Sequence, residues 1–252
     1  MKNIPVILLG CGGVGRHLLQ HIVSCRSLHA KLQNGVIEND ALRLEGVRLR
    51  VVGVSDSKSL LLASDVFTRE LDDTFLNEVS RVKLGVNECQ VFANSEATRT
   101  VIDTATRLSK STGLVVVDCS ASSETMGVLN QAVDLGCCIV LANKKASYCC
   151  NAYKCLKPTY LFFGLQDDYD KLVAHPRRIR YESTVGAGLP VIASLNRILS
   201  SGDPIRCIVA CLSGTLGYVM SEVEGGKPFS QVVKDAKSLG YTEPGILIIA
   251  LQ

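Results

Sequence analysis

The sequence predicts an α/β fold whose first part is a doubly wound parallel sheet. Short apolar runs alternate with helical patterns over the first 150 residues, which is typical of a parallel sheet with helices on both faces. The first apolar run also ends in a glycine-rich turn that begins a helix. After residue 150 this alternation is lost, so we expect one domain over 1–150 and a second over 151–252.

The predicted elements follow in chain order. Continuous apolar runs predict buried strands at 4–9, 49–54, 114–118 and 138–142. Helical patterns follow at 14–23, 59–82, 122–135 and 191–199, and residues 24–46 form a polar insertion. The remainder predicts a strand at 206–212 and two short helices separated by Gly225–Pro228.

Composition limits the class of partner. The chain has 252 residues, of which 47% are hydrophobic and 20% are charged, with a net charge of +3. This balance favours neither nucleic acid nor a membrane surface, and no apolar run approaches the roughly 18 residues of a spanning helix. We expect a small-molecule partner, no nucleic acid and no membrane.

The compartment follows from the cysteines and the amino terminus. The chain has 11 cysteines, and most of them lie in apolar runs. We therefore expect them to be reduced core residues in a reducing compartment. A strand begins almost at once, which leaves no room for a targeting peptide. We expect a cytoplasmic location, or an organelle if a targeting segment is absent from this chain.

Gly10, Gly12 and Gly15 form a G-x-G-x-x-G pattern between a buried strand and an amphipathic helix. The first glycine permits the tight turn, the second allows close approach to a pyrophosphate, and the third lets the helix pack on the sheet. The amino end of the helix supplies positive potential. This context predicts a Rossmann-type dinucleotide site; the alternative is a glycine-rich turn that binds no ligand.

The segment after the second strand bears on the choice of cofactor. Asp56 lies well beyond the roughly 20-residue spacing of a ribose-binding acid, so the insertion must loop out. An acid alone favours NAD, whereas Ser57 and Lys58 can receive the 2′-phosphate of NADP. We favour NADP; the alternative is that Lys58 is a solvated charge.

Lys144 follows a buried strand at its carboxyl end, where open parallel sheets bind ligands. A lysine at this position is a structural charge, a phosphate contact or a proton-transfer group. Asp118 and Ser120 end the preceding strand, near the expected nicotinamide. His17, His21 and Cys25 share one helix, where we favour a polar face over a metal site.

Seven segments together resemble homoserine dehydrogenase, and most closely the dehydrogenase part of bifunctional aspartate kinase–homoserine dehydrogenases. They appear in the family's order and span residues 4–244. The segments are the glycine fingerprint at 10–15, VGVSDSKSLL at 52–61, VVDCSAS at 116–122, ANKK at 142–145, YESTVGAGLPV at 181–191, LSGTLGY at 212–218 and AKSLGYTEP at 236–244.

The resemblance implies an oxidoreductase that interconverts L-homoserine and L-aspartate 4-semialdehyde with NAD(P), in threonine, methionine and isoleucine biosynthesis. It implies a second domain of α+β type for substrate binding and dimerisation, and hence a homodimer. Lys144 matches a lysine that contacts cofactor and substrate, and Glu243 matches the glutamate that binds the substrate amino group; we predict both as catalytic. The predicted cofactor-binding residues are Gly10, Cys11, Gly12, Gly13, Val14, Gly15, Ser57, Lys58, Cys119, Ser120, Lys144 and Gly240.

The resemblance also implies a loop that binds a monovalent cation such as Na⁺, mostly through main-chain carbonyls. Its predicted ligands are Glu182, Val185, Ala187 and Leu189. The alternative is a plain turn before a helix, capped near Pro190.

One departure qualifies the expected activity. Where the family continues after Glu-Pro with an acidic stretch and an Asp-x-x-x-Lys segment, this chain reads GILIIALQ. It resembles an enzyme truncated in its substrate domain. The alternatives are therefore a catalytically impaired NADP-binding partner or regulator, and an unstable fragment with exposed apolar surface.

Overall fold

A computed structural model describes residues 2–31, 46–78, 89–144, 171–172, 174–210 and 212–241. The chain divides into two compact units, residues 1–181 and 182–252. The first unit extends beyond the boundary predicted after residue 150, because the strand Ile179–Arg180 pairs in parallel with the strand Cys138–Leu141. In the described part of the chain, no helix has both the length and the apolar character needed to cross a membrane.

A seven-stranded sheet forms the centre of the first unit, in the order β4-β3-β2-β1-β5-β6-β7. The strands are β1 (Lys2–Leu9), β2 (Val47–Ser55), β3 (Ser59–Ala63), β4 (Cys89–Ala93), β5 (Val115–Asp118), β6 (Cys138–Leu141) and β7 (Ile179–Arg180). The pairs from β2 through β1, β5 and β6 to β7 are parallel, whereas β3 is antiparallel to both of its neighbours. The α/β, Rossmann-type prediction is confirmed, with this one antiparallel strand added.

Five helices of the first unit lie in the described residues and cover both faces of the sheet. They are α1 (Gly13–Ser24), α2 (Arg26–Lys31), α3 (Asp73–Glu78), α4 (Asn94–Ser109) and α5 (Met126–Asp134). Along β1, Val6 and Leu8 join a core cluster with α1 and α3 residues, while Ile7 and Leu9 join one with α4 and α5 residues. This alternation buries both faces of β1, as its continuous apolar sequence predicts.

The predicted helix over 59–82 is wrong for residues 59–72: α3 begins only at Asp73, and residues 59–63 form β3. Leu60 and Leu62 are buried there, while β3 pairs with β2 on one side and β4 on the other. A short apolar run has no diagnostic period, so the sequence could not separate a helix from a strand. The predicted helix over 122–135 begins at Met126, four residues later than expected.

The described part of the second unit contains two 3₁₀ turns, Glu182–Thr184 and Gly186–Gly188, and three helices. The helices are α6 (Val191–Ser200), α7 (Gly214–Glu224) and α8 (Phe229–Ser238). A small core between α7 and α8 contains Val219, Val232 and Ala236. The strand predicted at 206–212 is wrong for residues 206–210, which form no ladder and are exposed.

The β3 assignment can be tested by truncating a buried side chain. Leu60 is fully buried, so Leu60→Ala should lower the free energy of unfolding by about 2–5 kcal/mol. The control is Val91→Ala on neighbouring β4, whose side chain is 60% exposed and whose loss should cost roughly 0.5 kcal/mol or less. Urea unfolding measures the free energy of unfolding of both variants, and equal effects would contradict the burial of Leu60 in β3.

Candidate functional site

The carboxyl ends of four neighbouring strands lie in one row. Leu9 at the end of β1 pairs with Ser55 at the end of β2 and with Asp118 at the end of β5. Asp118 in turn pairs with Leu141 at the end of β6. The loops that follow these strands therefore leave the same edge of the sheet. This edge brings together the predicted site segments of the first unit: the glycine loop, residues 56–58, residues 119–120 and Lys144.

Gly10 begins the glycine loop in a conformation that only glycine adopts readily. Its φ is +89°, and a Cβ on it would lie 2.5 Å from the main-chain nitrogen of Ser120. The Gly10 N–H donates to the Ser55 carbonyl at 2.9 Å, and the Cys119 N–H donates to the Leu9 carbonyl at 2.8 Å. The loop is therefore held between the ends of β2 and β5.

The other glycines separate into packing and open positions. A Cβ on Gly15 would lie 2.1 Å from the Gly10 carbonyl oxygen, so Gly15 allows α1 to approach β1. A Cβ on Gly12 or Gly13 would meet no atom within 4 Å, which leaves open space at the amino end of α1. No side chain caps this end, and no acidic residue occupies the first turn. Its N–H groups are suited to an anionic ligand such as a pyrophosphate.

Asp118 forms the centre of a buried polar network beside the loop. Its carboxylate accepts hydrogen bonds from the Ser120 N–H at 2.9 Å, Thr125 Oγ1 at 2.8 Å and Asn143 Nδ2 at 3.0 Å. Lys144 follows Asn143 directly and is partly buried. No sequence pattern indicated a role for Asn143 or Thr125; the signal present was a polar residue at the carboxyl end of a buried strand.

Asp56 has a structural role that its spacing did not predict. Its Oδ1 accepts the N–H groups of Lys58 at 2.7 Å and Ser59 at 2.8 Å, closing the turn between β2 and β3. Ser57 and Lys58 lie exposed at the tip of this turn. An exposed hydroxyl and an ammonium group at this edge suit a phosphate more than a ribose diol.

The thiols beside the loop are held in their neutral form. Burial, followed by the nearby Asp118 carboxylate, raises the pKa of Cys119 to about 12. Burial also raises the pKa of Cys11, against the lowering effect of Arg16. Neutral thiols leave the loop without an anion that would repel a phosphate, and neither thiol is suited to act as a nucleophile.

Glu182, in the second unit, uses both carboxylate oxygens to cap α6. Oε1 accepts the Ile192 N–H at 2.8 Å, and Oε2 accepts the Ala193 N–H at 2.9 Å. Both carboxylate oxygens of Glu182 therefore already accept one hydrogen bond each. Ala187 has a φ of +53° between two glycines of positive φ, which bends the chain tightly at the predicted cation loop.

Gly240, predicted to contact the cofactor, ends α8. Its φ is +75°, its N–H donates to the Lys237 carbonyl at 3.1 Å, and the Tyr241 N–H donates to the Ala236 carbonyl at 2.9 Å. These two bonds form a Schellman motif. Glu243 lies outside the described residues.

The possible metal ligands on α1 do not form a cluster. Cys25 Sγ lies 3.5 Å from His21 Nε2, and no group of three His, Cys, Asp or Glu residues in the described parts of the chain is arranged to hold a metal.

The sheet and glycine loop define an α/β protein of the Rossmann type. The family model for homoserine dehydrogenase matches residues 190–246. The chain is 32% identical over 246 residues to a chloroplastic bifunctional aspartokinase/homoserine dehydrogenase of Daucus carota, covering 96% of this chain and 22% of that protein. It is 30% identical over 258 residues to homoserine dehydrogenase of Saccharomyces cerevisiae, covering 96% of this chain and 57% of the yeast protein.

A solved homoserine dehydrogenase from a hyperthermophilic archaeon, in complex with NADPH, has a similar fold. Its TM-score is 0.61 at 22% identity, over 97% of this chain and 63% of that one. The resemblance seen in the sequence is thus confirmed, and the chain is related to the homoserine dehydrogenases, which are oxidoreductases. It spans little more than half of the yeast relative and about a quarter or less of the bifunctional relatives.

Two glycine substitutions should separate packing from ligand binding. Gly15→Ala places a Cβ against the Gly10 carbonyl and should lower the free energy of unfolding by about 1–3 kcal/mol. Gly12→Ala enters open space and should leave the melting temperature unchanged while weakening NADPH binding, because the added methyl group occupies the approach of the pyrophosphate. Calorimetry and NADPH fluorescence titration measure the two effects. A destabilised Gly12→Ala variant would contradict this division.

Proposed function

We propose that this chain is an NAD(P)-dependent oxidoreductase of the homoserine dehydrogenase type, acting on L-homoserine and L-aspartate 4-semialdehyde in threonine, methionine and isoleucine biosynthesis. The observation that carries the proposal is the common row of strand ends, which gathers the glycine loop, the Ser57–Lys58 tip and Lys144 at one edge. Similarity along 96% of the chain to enzymes of this name supports it.

The cofactor residues have distinct proposed tasks. The N–H groups at the start of α1 bind the pyrophosphate, while Gly12 and Gly13 leave it room. Cys119 and Ser120 lie beside the glycine loop, and we assign them to the nicotinamide end of the cofactor. The nicotinamide supplies the hydride chemistry when bound, and the protein supplies position and charge.

Lys144 and Glu243 are the proposed groups for the substrate. β6 lies two strands from β1, so the two strand axes are about 10 Å apart, a span that suits the reach from the pyrophosphate of a dinucleotide to its nicotinamide ring. As a neutral amine Lys144 accepts the alcohol proton during oxidation, and as an ammonium group it returns that proton to the aldehyde oxygen in the reverse direction. Glu243 binds the substrate amino group through its carboxylate.

We also propose a monovalent cation such as Na⁺ and a homodimer. The tight bend at 186–188 brings several main-chain carbonyls into a short span of chain, which supports a site for a hard cation. Replacing Na⁺ by a large organic cation tests the first proposal through activity and melting temperature, and sedimentation equilibrium tests the second. The cytoplasmic location stays a prediction.

The function is tested by turnover of the purified chain. Incubation with L-homoserine and NADP should produce NADPH absorbance at 340 nm, and Lys144→Ala should abolish it while the fold is kept. NADPH binding without turnover at any substrate concentration would favour the alternative of a catalytically impaired NADP-binding partner or regulator. Absence of NADPH binding would contradict both.

Lys58 provides a test of cofactor preference. If its ammonium group contacts the 2′-phosphate, Lys58→Ala should raise the KM for NADPH about tenfold and leave that for NADH unchanged, since a charge-assisted bond is lost only with NADPH. Lys110→Ala, which removes another exposed lysine at the end of α4, serves as the control. Equal changes for the two cofactors would exclude Lys58 from the phosphate site.

A further inference from the structure

Asp118 is the only buried carboxylate in the described residues, with no exposed surface at all. A buried charge is costly unless hydrogen bonds replace its lost water. Here one oxygen accepts the Ser120 N–H, and the other accepts Thr125 Oγ1 and Asn143 Nδ2. All three donors lie in segments that follow the carboxyl ends of β5 and β6.

Asn143 is held by its side chain and its main chain. Its Nδ2 lies within hydrogen-bond distance of Asp118 Oδ2 at 3.0 Å, the Ser122 carbonyl at 2.7 Å and Ser120 Oγ at 3.2 Å. Its main-chain N–H and that of Ala142 donate to the Asp118 carbonyl at 3.1 and 2.9 Å. Asn143 is 3% exposed, so its position is fixed, and with it the start of residue 144.

The same carboxylate also supports the glycine loop. Asp118 Oδ1 fixes the Ser120 N–H, and Gly10 packs so closely on that nitrogen that a Cβ would lie 2.5 Å away. Asp118 is therefore hydrogen-bonded both to the residue that precedes Lys144 and to the residue against which the glycine loop packs. A fully satisfied polar network of this kind rigidifies its surroundings.

We propose that Asp118 and Asn143 are positioning residues: the Asp118 carboxylate acts through Asn143 to fix Lys144 relative to the glycine loop. This inference rests on the proposed function, because it assumes that Lys144 contacts the cofactor. Because Asp118 has no exposed surface and Asn143 is only 3% exposed, both act through the main chain that leads to Lys144.

A double-mutant cycle on NADPH affinity tests the inference without requiring turnover. NADPH fluorescence gives the Kd for the full chain, Asn143→Ala, Lys144→Ala and the double variant. We expect each single variant to weaken binding about tenfold and the double variant to be no weaker than the weaker single variant, since both remove one coupled interaction. A purely structural role for Asn143 would give effects that multiply to about a hundredfold.

Controls separate positioning from loss of stability. Thr104→Val removes another buried hydrogen bond, from Thr104 Oγ1 to the Thr100 carbonyl in α4, and should leave the Kd unchanged. Where Asn143→Ala impairs folding, Asp118→Asn keeps the side-chain volume and should show the same lack of additivity with Lys144→Ala. Multiplying effects overturn the inference and leave the proposed function standing. An unchanged Kd for Lys144→Ala overturns the inference alone, whereas a wild-type chain that does not bind NADPH overturns the proposed function as well.

Discussion

The register of the parallel strands is the constraint on which the proposed site depends. Leu9 pairs with both Ser55 and Asp118, so the loops after three strands begin at one level. This alignment requires a shift within the β1–β2 pairing, after which Ile7 faces Gly53 and one residue of β2 is left without a partner. The bulge brings position 53 close to β3, where a Cβ would lie 2.9 Å from the side chain of Leu62. Glycine fits this position because it has no Cβ. Without the shift, Ser55 would leave the sheet one residue beyond Leu9.

The electrostatics of this edge follow from what each acid and thiol already contacts. The Asp118 charge is compensated inside the sheet edge by three donors, and one oxygen of Asp56 is used by the turn between β2 and β3. The thiols of Cys11 and Cys119 have raised pKa values and stay neutral. The amino end of α1 has no acidic residue in its first turn. The edge thus presents main-chain N–H groups and an exposed lysine to an anion, with its negative charges already hydrogen-bonded.

Sequence patterns predicted the parts of this site that depend on local backbone rules. The roles of Gly10 and Gly15 follow from a strand–turn–helix pattern, because a missing Cβ has the same consequence in every such turn. The strand at 59–63 was not predictable, since its conformation is decided by pairing with two strands, β2 across a short turn and β4, which is distant in sequence. The role of Asn143 could not be predicted for the same reason: its partners belong to the end of β5, over twenty residues earlier. At 206–210 an apolar run predicted a strand, but a strand also requires a neighbour to pair with.

The cation loop shows why a matched motif and a binding site are different observations. Capping of α6 alone accounts for Glu182, because an anion is stabilised by the unpaired N–H groups and the positive end of a helix. Helix capping does not account for Ala187, whose left-handed conformation costs about 1–2 kcal/mol in a residue that carries a Cβ. Such strain persists only where surrounding interactions compensate for it. The cation proposal therefore depends on Ala187 and its glycine neighbours, and Glu182 contributes to it by holding the start of α6 behind them.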